Sequence, residues 1–291
     1  MMQLRTPRYT AETGMFPANV LAACALRSLD SVPLNTGFVH AVLEGQVDGG
    51  LWVDRPDAPR VWHARHPYGM SLVWGDAVDE GFEQVVSHIK SGKYRTDGDE
   101  WLQVDPRWQA LGWDRHLGVL EASKTIDSPT CVRHGRVNFT FDEGKFVRLG
   151  TGRALPDGWR LRPTIAADWE LPGQVVPRHF WRNAPEFLAA GGGWCAEHAG
   201  QVGAIAFVSY RWSNEFEIGI ETFAHARRQG LARAVATRLI SDVLKAGLIP
   251  VWSCRMENAA SYSLAQVLGF VPRAVFPYYQ LKQYAIDPRH A

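Results

Sequence analysis

The chain has 291 residues, of which 46% are apolar and 21% charged, and its formal net charge is +1. That length suits two domains of ordinary size, and that composition suits a globular protein in water. The near-neutral charge balance gives no electrostatic reason to expect a nucleic acid or an acidic membrane as partner.

In chain order, residues 17–29 read as a helix. Residues 37–44 and 50–54 read as strands of a hairpin around Gly45, Asp48 and Gly49. Residues 61–64 and 70–74 are two further strands, and residues 80–90 a helix stopped by Ser91-Gly92. Residues 101–104 then read as a strand and 106–111 as a short helix. Residues 136–149 suggest a second hairpin with Asp142 to Lys145 at its tip, and a loop rich in Gly, Pro and Arg follows. The expected domain boundary falls there, giving domains 1–150 and 151–291.

The second half has sharper periodicity. A helix over 180–190 precedes a hairpin of residues 193–199 and 201–211 across Gly200. Residues 215–222 alternate strictly: Phe216, Ile218 and Ile220 face one side, and Glu215, Glu217, Gly219 and Glu221 the other. Leu231, Val235, Leu239 and Val243 line one face of a helix over 231–246, with Gly247 at its C-terminal cap. Residues 248–254 read as a strand, 258–268 as a short helix closed by Gly269, and 273–276 with 279–284 as a last strand pair.

Met1 to Phe16 lacks a charged region followed by an apolar core, and no apolar run approaches the roughly 20 residues of a membrane span. Neither a secretory signal nor a span is expected. Cys24, Cys131, Cys195 and Cys254 form no C-x-x-C pair, so zinc and thioredoxin motifs are not supported. Reduced, mostly buried thiols in the cytoplasm are the expectation. His63 and His66 show no third ligand and read as surface or turn residues. No metal is expected.

The chemistry is concentrated where the strand 215–222 runs through a loop into the helix at 231. The loop reads Arg227-Arg228-Gln229-Gly230-Leu231-Ala232, the pattern R-x-x-G-x-A at a helix start. Unpaired N–H groups and the positive end of the helix dipole suit a pyrophosphate there. Gly230 permits close backbone approach, small Ala232 leaves it uncovered, and Arg227 and Arg228 add positive charge. A partial match at Gln46-Val47-Asp48-Gly49 leads into a strand and is rejected.

This segment resembles the acyl-CoA-binding motif of the GNAT N-acyltransferase superfamily, Q/R-x-x-G-x-G/A. Asn258 to Phe270, with Ser261, Ala265 and Gly269, resembles the superfamily's second cofactor segment, in matching order over about fifty residues. Ile220-Glu221-Thr222, Pro250-x-Trp252-x-Cys254, and Asn258-x-x-Ser261 with Leu264-Ala265 are similar to the branch containing the zwittermicin A resistance acetyltransferase. The likeness continues upstream through Phe180-Trp181, Phe187 and Gly191 to Cys195. It is fainter in the first half.

The resemblance implies an α/β protein. Its C-terminal GNAT fold would be a mixed, mostly antiparallel sheet flanked by helices, with acetyl-CoA between two splayed strands. A degenerate GNAT-like N-terminal domain would precede it. It implies cofactor contacts from Thr222, Phe223, Arg227, Arg228, Gln229, Gly230, Leu231, Ala232, Asn258 and Ser261, with a backbone N–H near Thr222 polarising the thioester carbonyl.

An alkylamine with a pKa of about 10 must lose a proton before attack. Glu217 and Glu221, on one strand face, are the candidate bases, with a solvated strand face as the alternative. The superfamily's usual acid, a Tyr on the last helix, is replaced by Ala265; Tyr262 one turn earlier, or Tyr278 or Tyr279, are the substitutes considered. Cys254 as an acetylated nucleophile is set aside because no His lies near it in sequence. The implied activity is direct transfer from acetyl-CoA to a primary amine, by resemblance that of an antibiotic-like small molecule. A non-catalytic acyl-CoA sensor is the alternative. The acceptor, the acyl-chain length and the oligomeric state are left open.

Overall fold

The computed structural model describes residues 15–17, 22–119, 131–150 and 154–283. The chain divides into two compact units, Met1–Arg136 with Phe276–Ala291, and Val137–Val275. The sequence reading places a single cut near residue 150. The units instead part within two long strands, so the chain's last segment belongs with its first.

In the N-terminal unit β1 (Phe16–Pro17) is followed by α1 (Ala22–Leu29), α2 (Gly37–Leu43), β2 (Gly50–Val53), β3 (Val61–Arg65), β4 (Met70–Gly75), α3 (Phe82–Ser91), β5 (Glu100–Val104) and α4 (Trp113–Leu117). Strands β1 to β4 pair antiparallel in sequence order, and β4 pairs parallel with β5. Val61, Val73, Val85, Ile89, Leu102 and Trp113 centre its core.

The segment 37–44 is a helix and not the expected strand. Phe38, Val39 and Val42 are all buried; a short apolar run fits a buried strand and a buried helix equally well, and length alone does not separate them. The helix expected over 17–29 begins at Ala22, residues 18–21 lying outside the described ones. Gly92, with φ 60°, closes α3 as its sequence indicates.

β6 (Cys131–Phe141) carries the chain into the C-terminal unit. There follow α5 (Glu143–Leu149), β7 (Arg160–Pro163), α6 (Ala184–Ala189), β8 (Gly193–His198), β9 (Gln201–Trp212), β10 (Glu215–Thr222), α7 (Leu231–Lys245), β11 (Ile249–Val251), β12 (Ser253–Arg255) and α8 (Ala259–Val267). β13 (Phe270–Leu281) then runs back into the first unit, where its end pairs antiparallel with β5.

The expected hairpin tip at 142–145 is a helix start. The Asp142 carboxylate accepts from the Lys145 N–H at 2.8 Å, so the residue read as a turn former is an N-cap. The helix expected over 180–190 is shorter, with Asn183 capping it through the Glu186 N–H. Phe180 instead packs edge-on against Phe207 and Tyr210. The expected final strand pair is the single strand β13, and Tyr284 lies outside the described residues.

The C-terminal sheet has the order β11-β10-β9-β8-β7, antiparallel except for the parallel pair β10–β11. Gly203 to Tyr210 of β9 are all buried, as a central strand requires. Helix α7 packs on β8, β9 and β10, presenting Leu231, Val235, Leu239 and Val243, all buried and all one turn apart. Gly219 is fixed by sterics: a Cβ there would stand 2.5 Å from the ring of Phe207, its partner in the register.

Candidate active site

The strand expected over 248–254 divides at Trp252, and that division makes the site. β11 pairs with β10 through Val251, opposite Glu217, and stops. After Trp252 the chain continues as β12, which joins β6 in a different sheet. Beyond Glu217, residues Ile218–Thr222 of β10 therefore run on with no strand partner on that edge among the described residues. Trp252 anchors the departure: it is buried, its carbonyl accepts from the Phe139 N–H at 3.2 Å, and its indole N–H donates to the Ser261 hydroxyl at 3.2 Å.

The ladder on the other edge of β10 settles which backbone groups face the opening. Phe223 donates its N–H to the Gly203 carbonyl at 3.0 Å, so Phe223 and, by alternation, Glu221 and Gly219 bond towards β9. The N–H and C=O groups of Ile220 and Thr222 point the other way. The Thr222 carbonyl on that side accepts from Arg227. The Phe223 N–H is already used inside the sheet.

The loop 223–230 ends at the start of α7. Gly230 is the N-cap residue with φ 81°, a left-handed conformation that suits glycine. A Cβ added there would meet nothing within 4 Å, so this backbone faces open space. Helix α7 has no side-chain cap and no acidic residue in its first turn. Its first N–H groups and dipole are left for an outside anion. Arg227, Arg228 and Gln229 are exposed around it, Leu231 is buried and Ala232 half-buried. The Arg227 Nε donates to the Thr222 carbonyl at 3.2 Å, tying the loop to the end of β10. Arg228 holds a φ of 64°, uncommon for a residue with a side chain. This cradle fits the pyrophosphate of a CoA thioester: donors, positive charge and room coincide, and the first turn of α7 carries no carboxylate.

Asn258 and Ser261 sit at the start of α8, and both are engaged within the protein. The Asn258 side chain accepts from the Ser261 N–H at 3.1 Å as a helix cap. The Ser261 hydroxyl receives the Trp252 indole. Together they pin α8 to the point where β11 and β12 part.

Of the two candidate bases, Glu217 is 4% exposed. Its Oε1 accepts from the Ser253 hydroxyl at 2.7 Å, and its carbonyl accepts from the buried Ser209 hydroxyl at 3.0 Å. Ser209 is the extra residue of a bulge in β9, since Glu217 faces Tyr210 while Ile218 faces Val208. Glu221, half-buried, accepts from the Val175 N–H at 3.0 Å and so holds the loop before Val176.

Tyr262 is half-buried with its ring edge-on to Phe139 at 5.4 Å, and Ala265, where the superfamily's usual Tyr would stand, is fully buried. Tyr278 and Tyr279 belong to the N-terminal unit. Tyr279 donates to Asp114 at 2.6 Å, and burial together with that bond raises its pKa, so it holds its proton. Tyr278 packs on Trp101 and under Arg136.

Cys254 is a buried free thiol, as are Cys131 and Cys195; Cys24 is free and exposed. Burial holds the Cys131 thiol up at about 12, and raises Cys195 further. His63 and His66 are fully buried, not surface residues. The His63 ring contacts His88 at 3.1 Å and Glu100 at 2.9 Å, while the His66 Nδ1 accepts from the Tyr68 N–H at 3.0 Å. Among the described residues no helix is long and apolar enough to cross a membrane.

Ser209 and Ser253 were not singled out in the sequence, and Ile220 was named there only as a strand residue and in the string resembling the family branch. A serine two residues past a strand end carries no signal until the strand is seen to change sheets.

Residues 163–279 match the sequence profile of the family described as GNAT acetyltransferase. A relative from Bacillus subtilis, the uncharacterised N-acetyltransferase YdfB, is 23% identical over 240 residues, covering 80% of this chain and 85% of its own. A GCN5-related N-acetyltransferase-like protein from Streptococcus suis superposes with a TM-score of 0.66 at 21% identity, over 89% of this chain and 98% of its own. A tandem GNAT protein from the clavulanic acid biosynthesis pathway gives 0.59 at 13% identity, over 94% and 99%. These structural likenesses span both units and show the fold. The profile match covers the opened strand, the uncapped helix and the Asn258 segment, so this part of the C-terminal unit is similar to GNAT acetyltransferases.

Proposed function

We propose that this protein acetylates a primary amine of a small molecule, such as an aminated antibiotic, in a ternary complex with acetyl-CoA. We place it in the branch that holds the zwittermicin A resistance acetyltransferase. One observation carries the reading: β10 runs on past its last β11 partner and leads into a helix start with no cap and no acid of its own. An extended arm with amide groups fits the open edge, and a pyrophosphate fits the helix end.

When bound, acetyl-CoA supplies an acyl group already activated as a thioester. The chain's own residues do the rest. The N–H groups at the start of α7, with Arg227, Arg228 and Gln229, hold the phosphates. Leu231 and Ala232 keep that helix start seated and uncovered. Ile220 and Thr222 hold the arm through their outward backbone groups, and the Thr222 N–H supports negative charge on the acyl oxygen. Asn258 and Ser261 fix the far wall. Glu217 takes the proton of the amine, whose ordinary pKa of about 10 keeps it protonated at neutral pH. Tyr262 is the proton donor to the departing thiol; at a pKa of about 8.5 that thiol also leaves unaided. Glu221 positions the loop before Val176. A cytoplasmic location accords with four free thiols.

The test is thiol release from acetyl-CoA with a panel of amines (spermidine, tyramine, glucosamine). Turnover that disappears in Glu217→Gln while acetyl-CoA binding stays supports the reading. The buried Ala265 favours one rival, a non-catalytic acyl-CoA sensor. Tight binding with no turnover on any amine would establish that rival.

A further inference from the structure

Two hydroxyls converge on Glu217 from different strands. Ser209, the bulged residue of β9, donates to its carbonyl and fixes the backbone, while Ser253, first residue of β12, donates to its carboxylate at 2.7 Å. Ser253 stands immediately beyond Trp252, where β11 leaves the edge of β10. Its hydroxyl therefore reaches across the start of the opening to a carboxylate on the opposite strand. Trp252, held by Phe139 and Ser261, fixes where Ser253 emerges.

We propose that Ser253 is a positioning residue for Glu217, holding its carboxylate at the head of the opened strand pair in the ionised, proton-accepting form. This rests on the reading of Glu217 as the base. A carboxylate only 4% exposed loses hydration, which opposes its charge. A hydroxyl donating to it restores part of that loss and favours the charged form. The other ionisable groups on the surrounding elements are Tyr210 and Arg211 on β9, Glu215 and Glu221 on its own strand, Cys254 and Arg255 after Ser253, and Arg233, Arg238, Asp242 and Lys245 on α7. His179 stands beside the Phe180 that packs on Tyr210. The Ser253 hydroxyl donates directly to its Oε1.

The experiment follows the Glu217 carboxyl directly in full-length protein labelled with ¹³C at glutamate side-chain carboxyls. The signal missing from Glu217→Gln identifies it. Its titration midpoint is expected higher in Ser253→Ala than in wild type, and restored in Ser253→Thr, which keeps the hydroxyl. In thiol release with the same amine panel, Ser253→Ala loses about tenfold in kcat/KM at pH 7, the order of one hydrogen bond to a charged group. The acid limb moves to higher pH, activity recovers as pH rises, and KM for acetyl-CoA is unchanged. Equal midpoints in wild type and Ser253→Ala, with Glu217→Gln inactive, overturn the role of Ser253 alone. Undiminished turnover in Glu217→Gln overturns the reading of the base itself. Ser253→Thr behaving like Ser253→Ala also overturns the proposal, because a lost hydroxyl would then not be the cause.

Discussion

The two units each contain a strand, a loop and a helix with a parallel neighbour beside the strand, and they finish the motif in opposite ways. In the C-terminal unit β10 outruns β11, and the loop into α7 carries Arg227 and Arg228. In the N-terminal unit β4 leads through Asp76, Asp79 and Glu80 into α3, which has Glu83 in its first turn. That loop is braced by Arg60, which reaches Asp76 at 3.1 Å and Glu80 at 3.0 Å. The end of β4 is also closed: the Gly75 carbonyl accepts from the Trp108 indole at 2.9 Å and from Arg107 at 3.3 Å. A helix start fed by carboxylates repels an anion, and a strand edge already hydrogen-bonded has nothing to offer an amide arm. One arrangement is thus braced in one unit and left open in the other, and the two differ in loop charge and in edge closure.

Making the C-terminal loop resemble the N-terminal one should have the largest effect. Arg227→Glu with Arg228→Glu is expected to weaken acetyl-CoA about 100-fold at low salt and less at high salt, as charge-assisted phosphate contacts are lost. Calorimetry at two ionic strengths checks it. Unchanged affinity would mean that loop charge does not separate the two motifs.

The closed arm is expected to respond to acid instead. His66, in the turn entering β4, has its pKa pulled down to about 3 by burial, with Arg65 adding to the effect. The unfolded chain takes up that proton near pH 6.5, so the stability is fully present above that pH and declines as pH falls towards 3. The loss at pH 5 is about 2 kcal/mol. His66→Asn, which keeps an acceptor for the Tyr68 N–H, should remove this part of the loss in urea unfolding at pH 7 and pH 5.

A smaller effect sharpens the contrast between helix starts within one unit. Asn258→Ala should cost about 1 kcal/mol in thermal unfolding through the lost cap of α8, and Asn258→Ser should restore most of it. Helix α7 has no such cap to lose. Reversal of the acidic loop, Asp79→Arg with Glu80→Arg, should give no acetyl-CoA site in the N-terminal unit, because the Gly75 edge stays closed. Two binding sites per chain by calorimetry would contradict that.

Local signals made the C-terminal unit legible. The alternation of 215–222, the turn-by-turn apolar stripe of α7 and the glycines at 230 and 247 each specify their own geometry. The R-x-x-G-x-A loop was readable as the lead into a helix start because its signal lies in consecutive residues. Long-range pairing was not. Nothing in Leu248 to Cys254 says that Trp252 divides it between two sheets, nor that Ser253 then meets Glu217 from 36 positions away. Asp142 suits a turn tip and a helix cap equally, and packing chose the cap. Phe38, Val39 and Val42 are apolar enough for either element, and His63 with His66 look like turn histidines until the sheet buries them.

The central claim is that the start of α7 is the phosphate cradle, and acetyl-CoA calorimetry on wild type, Gly230→Asn and Gly230→Glu tests it most directly. Asn tolerates the left-handed backbone while Glu adds bulk and negative charge where a Cβ meets nothing. Micromolar binding by wild type, kept within about tenfold in Gly230→Asn and abolished in Gly230→Glu, is the predicted result. Binding that survives in Gly230→Glu, or none by the wild type, would contradict the account.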